Sequence, residues 1–249
     1  MAVLEVEGVS KRFGGLLAVS EAALRVDPGR ITALIGPNGA GKTTLFAIIA
    51  GFIPPDSGVV RFDGRDITGM PAHGICRLGL VRTFQIVRPF AGLTVRANIA
   101  VGMHLREPVR RRALERAELI ARQVGMEAML DTPAQGLTTA GRKRLELARA
   151  LATRPKLLLL DEVMAGLVPA EVDEIVAMIR GIRDSGVTVL LIEHVMQAVM
   201  SLSDDVYVLN NGRIIAHGAP NEIAANREVI EAYLGHGAAG RIQARSANA

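Results

Sequence analysis

Three stretches of the chain are apolar almost without interruption: 31–35 (ITALI), 156–161 (KLLLLD) and 187–193 (VTVLLIE). Apolar runs without alternation predict strands covered on both faces, as in a parallel sheet. Each is followed by a segment of helical periodicity, at 42–51, 170–186 and 194–204. Strand–helix alternation of this kind indicates an α/β fold. A second pattern is found in 3–9 (VLEVEGV), 23–27 (ALRVD) and 59–64 (VVRFDG), which are short runs separated by turns. They predict a small, mostly antiparallel sheet.

Between about 94 and 152 there is almost no strand signal. In 106–123, Leu114, Ala117, Ile120 or Ala121, and Val124 share one helical face. Arg111 with Glu115, and Glu118 with Arg122, stand four residues apart and can pair along that helix. In 137–151 (LTTAGRKRLELARAL), Thr138 or Thr139 can cap a helix that buries Leu145, Leu147, Ala148 and Leu151. The implied organisation is an antiparallel β subdomain with the first part of the α/β core over 1–93, and a helical insert over 94–152. The second part of the core then covers 153–217, and a C-terminal helical extension covers 218–249. The last residues, AAGRIQARSANA, are small and polar and are expected to fray.

Composition narrows the class. The chain has 249 residues, 49% hydrophobic and 22% charged, ordinary for a packed globular protein. No apolar run reaches the roughly 18–20 residues of a membrane span. The opening, MAVLEVEGVSKRF, lacks the apolar stretch of a secretion signal. The net charge is +4, with much of the excess in 106–123. That excess reads as a solvated helix face, with contact to anionic lipid headgroups as the alternative. Six phenylalanines, two tyrosines and no tryptophan, none interleaved with the basic residues, argue against a nucleic-acid surface. The single cysteine, Cys76, cannot form an internal disulfide and reads as a packing residue of a protein in a reducing compartment.

Two motifs carry chemistry. GPNGAGKT, 36–43, fits G-x-x-x-x-G-K-[ST] and directly follows a predicted strand. Its glycines let backbone N–H groups turn inward around phosphates, and the following helix adds its positive end. Lys42 is placed for the β- and γ-phosphates, Thr43 for Mg²⁺ and Thr44 for a further hydrogen bond. LLLLDE, 157–162, ends an apolar strand in two carboxylates. Beside a P-loop, Asp161 can hold Mg²⁺, while Glu162 can polarise a water for in-line attack on the γ-phosphate. Gln85 in RTFQ, His194 in LLIEH and Phe13 are weak signals alone. His194, however, stands directly after a buried strand, at the end where such sheets bind ligands.

Together these residues resemble the ATP-binding subunits of ABC transporters over residues 1 to about 235. The resemblance implies a P-loop NTPase core, mainly a parallel sheet, with a small antiparallel β subdomain and an inserted helical subdomain. Phe13 matches the family's A-loop aromatic. Gly36, Pro37, Asn38, Gly39, Ala40, Gly41, Lys42 and Thr43, followed by Thr44, match the Walker A motif. Gln85 matches the Q-loop, 157–162 Walker B and His194 the switch histidine. Leu137, Thr138, Thr139, Ala140 and Gly141 align with the signature LSGGQ. By resemblance, Thr43, Gln85 and Asp161 would hold Mg²⁺, and Glu162, Gln85 and His194 would serve hydrolysis of ATP.

In that family two subunits pack head to tail around two ATP molecules, and the signature helix of each points its bare N-terminus at the other's γ-phosphate. The finer resemblance, carried by KRFGGLLAV, VRTFQ, LLIEH and VIEAYLG, is to the subunits that power importers of branched-chain amino acids or related small polar solutes. It implies a second ATP-binding subunit, two transmembrane permease subunits and, indirectly, a solute-binding protein. It also implies peripheral attachment to the cytoplasmic face of the inner membrane. The ATPase of a lipid or lipopolysaccharide exporter is the alternative within the family. A soluble ABC ATPase of repair or translation, or a non-hydrolysing binder, is the alternative outside transport.

The sequence departs from the family pattern in three places. In the signature, Thr138 replaces serine, while Thr139 and Ala140 replace the two glycines and Gly141 the glutamine. A Cβ at Ala140 falls where backbone should approach phosphate. After Walker B, Val163 replaces a proline and Val168 the D-loop aspartate. The altered signature leads to the expectation that the partner ATP-binding subunit is a different chain.

Overall fold

A computed structural model of the chain describes residues 1–234. The antiparallel sheet has the order β2-β1-β4-β5, built from β1 (Leu4–Phe13), β2 (Leu16–Val26), β4 (Ser57–Phe62) and β5 (Arg65–Asp66). The second sheet comprises β3 (Ile31–Ile35), β6 (Leu80–Arg82), β7 (Leu157–Asp161), β8 (Thr188–Ile192), β9 (Asp205–Asn210) and β10 (Arg213–Gly218), in the order β10-β9-β3-β8-β7-β6. Its neighbouring strands are parallel except for β10, which pairs antiparallel with β9. Every residue of β3, β7 and β8 is buried, as their unbroken apolar runs require.

The helices are α1 (Lys42–Ile49), α2 (Ala72–Leu78), α3 (Val95–Met103), α4 (Arg110–Gln123), α5 (Thr139–Ala152), α6 (Pro169–Asp184), α7 (Met196–Leu202), α8 (Pro220–Ala225) and α9 (Arg227–Leu234). Successive side chains of a strand point to opposite faces, so the parallel sheet feeds two cores. Leu34, Leu157, Leu159, Leu190 and Ile192 pack with α1 and the antiparallel sheet. Ile31, Ala33, Ile35, Leu158, Leu160, Val189 and Leu191 pack on the other face with residues of α3 to α7.

Several details differ from the sequence reading. Strand β6 has only three residues, too few to show a pattern. Strands β9 and β10 were not foreseen, although Asn211 and Gly212, both at positive φ, make the two-residue turn typical of a hairpin. In α4 the buried stripe is Ala113, Ala117 and Ala121, continued by Val124, while Leu114 and Ile120 are only half-buried. Alanines let α4 approach its neighbours closely. Arg111 pairs with Glu115 at 3.7 Å, but Glu118 meets Arg96 of α3 rather than Arg122. Cys76 is half-buried against the larger core, and burial pushes its thiol up, which fits a packing role. Among the described residues no helix is long and apolar enough to cross a membrane. The expected frayed tail, 238–249, lies outside the described residues.

Candidate active site

The P-loop joins β3 to α1, and its glycines are fixed by packing as well as by backbone conformation. Gly36 has φ 151°, and a Cβ there would lie 1.9 Å from the Leu209 carbonyl oxygen of β9. Gly41 has φ 104°, and its Cβ would lie 2.3 Å from the Ala18 carbonyl oxygen of β2. Gly41 caps α1 without a side-chain bond, leaving the helix N-terminus to the loop. The Lys42 ammonium folds over the loop and donates to the carbonyls of Gly36 at 2.7 Å and Pro37 at 3.0 Å. Burial pushes the Lys42 ammonium below its usual range, while the carboxylates of Glu162 and Asp161 act in the opposite direction. A cavity of about 510 Å³ opens beside the loop, lined by Phe13, Asn38–Thr44 and Glu162 among others. Phe13 is half-exposed at the end of β1, with the Lys11 ammonium 5.8 Å from its ring centroid.

Strand β7 delivers the two carboxylates to the same place. Asp161 is buried, and its Oδ2 accepts from Arg82 at 2.7 Å. Arg82 is packed over the rings of Phe52 and Phe84, at 5.8 and 5.6 Å from their centroids. Glu162 turns the chain in the left-handed region at φ 51°, with its N–H on the Ile192 carbonyl at 3.0 Å. Both of its carboxylate oxygens are held. Gln85 Nε2 donates to Oε2 at 2.7 Å, and His194 Nε2 stands 2.6 Å from Oε1. Next to His194, the buried Glu193 accepts the Met164 N–H at 2.9 Å and the His194 N–H at 3.3 Å, and burial pushes its carboxyl up.

Thr43, Gln85 and Asp161 line a second cavity of about 510 Å³, together with Arg82, Arg88, Glu146 and Arg149. Hydroxyl, amide and carboxylate oxygens are hard donors and suit Mg²⁺. In this structure the Gln85 amide nitrogen is turned to Glu162 and Asp161 is paired with Arg82. Among the described residues no group of three or more His, Cys, Asp or Glu could hold a metal ion by itself. A hydroxyl–carboxylate pair completed by phosphate oxygens does not need such a group.

The segment Leu137–Gly141 stands apart, lining neither cavity. Thr138, rather than Thr139, caps α5, accepting the Gly141 N–H at 3.1 Å. Thr138 and Thr139 are exposed, whereas Ala140 is buried, so little of it projects from the helix end. Val163 is buried, and Val168 is exposed at the start of α6.

Sequence reasoning missed Arg82, Lys143, Glu146, Glu193 and Tyr233. The first four are charged side chains at buried or half-buried positions, and Lys143, Glu146 and Arg149 recur at a spacing of three along α5, a signal that was legible. Tyr233 of α9 has its hydroxyl pushed up by burial, and it had no local signature.

A phosphate cradle between strand and helix, with a fixed carboxylate beside it, defines a P-loop ATPase. The chain belongs to the ABC transporter family, whose model matches residues 19–165. A second family model, described as a branched-chain amino acid ATP-binding cassette transporter, matches residues 213–239. The chain is 44% identical to the high-affinity branched-chain amino acid transport ATP-binding protein BraF of Pseudomonas aeruginosa, over 94% of this chain and 98% of that one. It is 42% identical to LivG of Escherichia coli, a protein of the same description, with the same coverage of both chains. A crystal structure of the ADP conformation of an ATP-binding cassette of an ABC transporter superposes with a TM-score of 0.86, at 32% identity, covering 95% of this chain and all of that one.

Proposed function

We propose that this chain is the ATP-hydrolysing subunit of an importer for branched-chain amino acids or a related small polar solute. The observation that carries the chemistry is the Glu162 carboxylate, held at one oxygen by Gln85 and at the other by His194, beside the P-loop cavity. Phe13 stacks on the adenine, and the loop from Gly36 to Thr44 wraps the phosphates. Lys42 exchanges the carbonyls of Gly36 and Pro37 for phosphate oxygens, which restores the charge balance that burial disturbs. Glu162 takes a proton from the attacking water, and His194 and Gln85 hold the carboxylate in line. Thr43, Asp161 and the Gln85 amide oxygen would hold Mg²⁺, which would supply positive charge against the transferring phosphoryl group.

Leu137–Gly141 lies away from both cavities of its own chain, which supports a role toward nucleotide held by a second ATP-binding subunit, a different chain with its own signature. Two permease subunits and a solute-binding protein complete the assembly, and the chain sits peripherally on the cytoplasmic face of the inner membrane. The names of BraF and LivG and the match at 213–239 support the solute class. The test is high-affinity uptake of labelled leucine, isoleucine and valine in a strain lacking the gene. Uptake should fall, return with the wild-type gene and not return with Glu162→Gln. Unchanged uptake of all three amino acids would overturn the solute class.

A further inference from the structure

The helix that begins at the signature also holds the catalytic loop of its own chain. Lys143 lies two residues beyond Gly141 on α5 and is buried. Its ammonium donates to two backbone carbonyls, that of Glu162 at 3.1 Å and that of Gln85 at 3.3 Å. These are the two residues whose side chains are joined by the 2.7 Å amide–carboxylate bond. One cation therefore grips the backbones of both partners in that bond. Glu162 needs such a hold, because a non-glycine residue at φ 51° occupies a sparsely populated conformation that its surroundings must impose.

The neighbours of Lys143 on the same face add to the grip. Glu146 accepts the Phe84 N–H at 2.5 Å, and Arg149 donates to the Arg88 carbonyl at 3.1 Å while lying 4.8 Å from the Phe90 ring centroid. Successive turns of α5 thus contact the segment from Phe84 to Phe90 at several points, but only Lys143 reaches Glu162.

We infer that Lys143 is a positioning residue for hydrolysis, locking the left-handed turn at Glu162 and linking the signature helix to the catalytic carboxylate within one chain. The inference rests on the role of Glu162 proposed above. Its consequence is that displacement of α5 by nucleotide on the partner is felt at the carboxylate serving this chain's own ATP. Positioning within a fraction of an ångström is what such a carboxylate requires.

The test uses the assembled transporter and measures ATP turnover and nucleotide affinity separately. Lys143→Met removes both hydrogen bonds while roughly keeping the side chain's length. It should lower kcat at least ~10-fold, the scale of losing a charge-assisted hydrogen bond, with KM for ATP within about 2-fold of wild type. Lys143→Arg, which keeps charge and donors, should recover most of the rate. Combined with Glu162→Gln, Lys143→Met should cause no further loss, because it acts through the missing carboxylate. If the Met variant fails to bind nucleotide, Lys143→Gln, which is shorter and uncharged, replaces it in the same comparison. Turnover at the wild-type rate in the variant used, or losses that multiply in the double variant, would overturn the inference. A Glu162→Gln single variant that keeps wild-type turnover would instead overturn the role of Glu162, so the two failures are distinguishable.

Discussion

Arg82 and Asp161 form an ion pair at 2.7 Å between side chains that are 7% and 2% exposed. The pair joins β6 to the end of β7, the strand that presents Glu162, and sits over two phenylalanine rings. A buried pair need not add net stability over an apolar replacement, but breaking it leaves an uncompensated charge.

Arg82→Met should therefore destabilise the chain by about 3–5 kcal/mol, measured by urea unfolding. Arg82→Met with Asp161→Asn should recover much of that loss, because no charge is then left unpaired. A single-variant loss below about 1 kcal/mol would mean that water or another group compensates Asp161.

Glu193 makes stability depend on pH in a defined direction. Burial raises its carboxyl above the ordinary value of 4.5, so the folded chain binds this proton more tightly than the unfolded chain. Stability from this group is present at acidic pH and declines as pH rises from about 4.5 through the raised folded value. Glu193→Gln keeps an acceptor for one of the two N–H groups, that of Met164 or that of His194, but cannot titrate. The stability difference between variant and wild type should shift in favour of the variant as pH is raised from 4.5 to 7, as followed by denaturant midpoints. A difference independent of pH would show that Glu193 titrates normally.

The legible part of the sequence was the part governed by local rules. Continuous apolar runs gave β3, β7 and β8, and glycine spacing gave the P-loop. Strands β6, β9 and β10 were missed because a three-residue strand has no period, and because Asp205, Tyr207 and the half-exposed β10 weaken the apolar signal. In α4 the expected Ala117, Ala121 and Val124 are buried, whereas Ala113 takes the place expected of Leu114, because alanine is compatible with either face until the neighbouring helices are known. Glu118 was paired with Arg122 by spacing alone, whereas Arg96 reaches it from another helix. Arg82 and Glu193 act through contacts spanning 79 and 29 residues of sequence, which no local pattern displays.

The altered signature leads to a prediction of asymmetry in the assembled transporter. ATP on this chain would face the partner's signature, and ATP on the partner would face Thr138–Gly141. Loss of one oriented donor to a phosphate costs roughly 2.7–4 kcal/mol. Glu162→Gln should then remove most ATPase activity, and the matching change in the partner only a small part. Equal losses, or a purified transporter with two copies of this chain and no other ATPase, would contradict the asymmetric assembly.

Glu162, held between Gln85 and His194, is proposed to activate the attacking water. The most direct measurement of that role is single-turnover hydrolysis by the assembled transporter carrying Glu162→Gln, alongside nucleotide affinity. Affinity should stay within about 2-fold of wild type and hydrolysis should slow at least ~10²-fold, the scale of removing a general base. Hydrolysis at the wild-type rate with ATP bound would contradict this role.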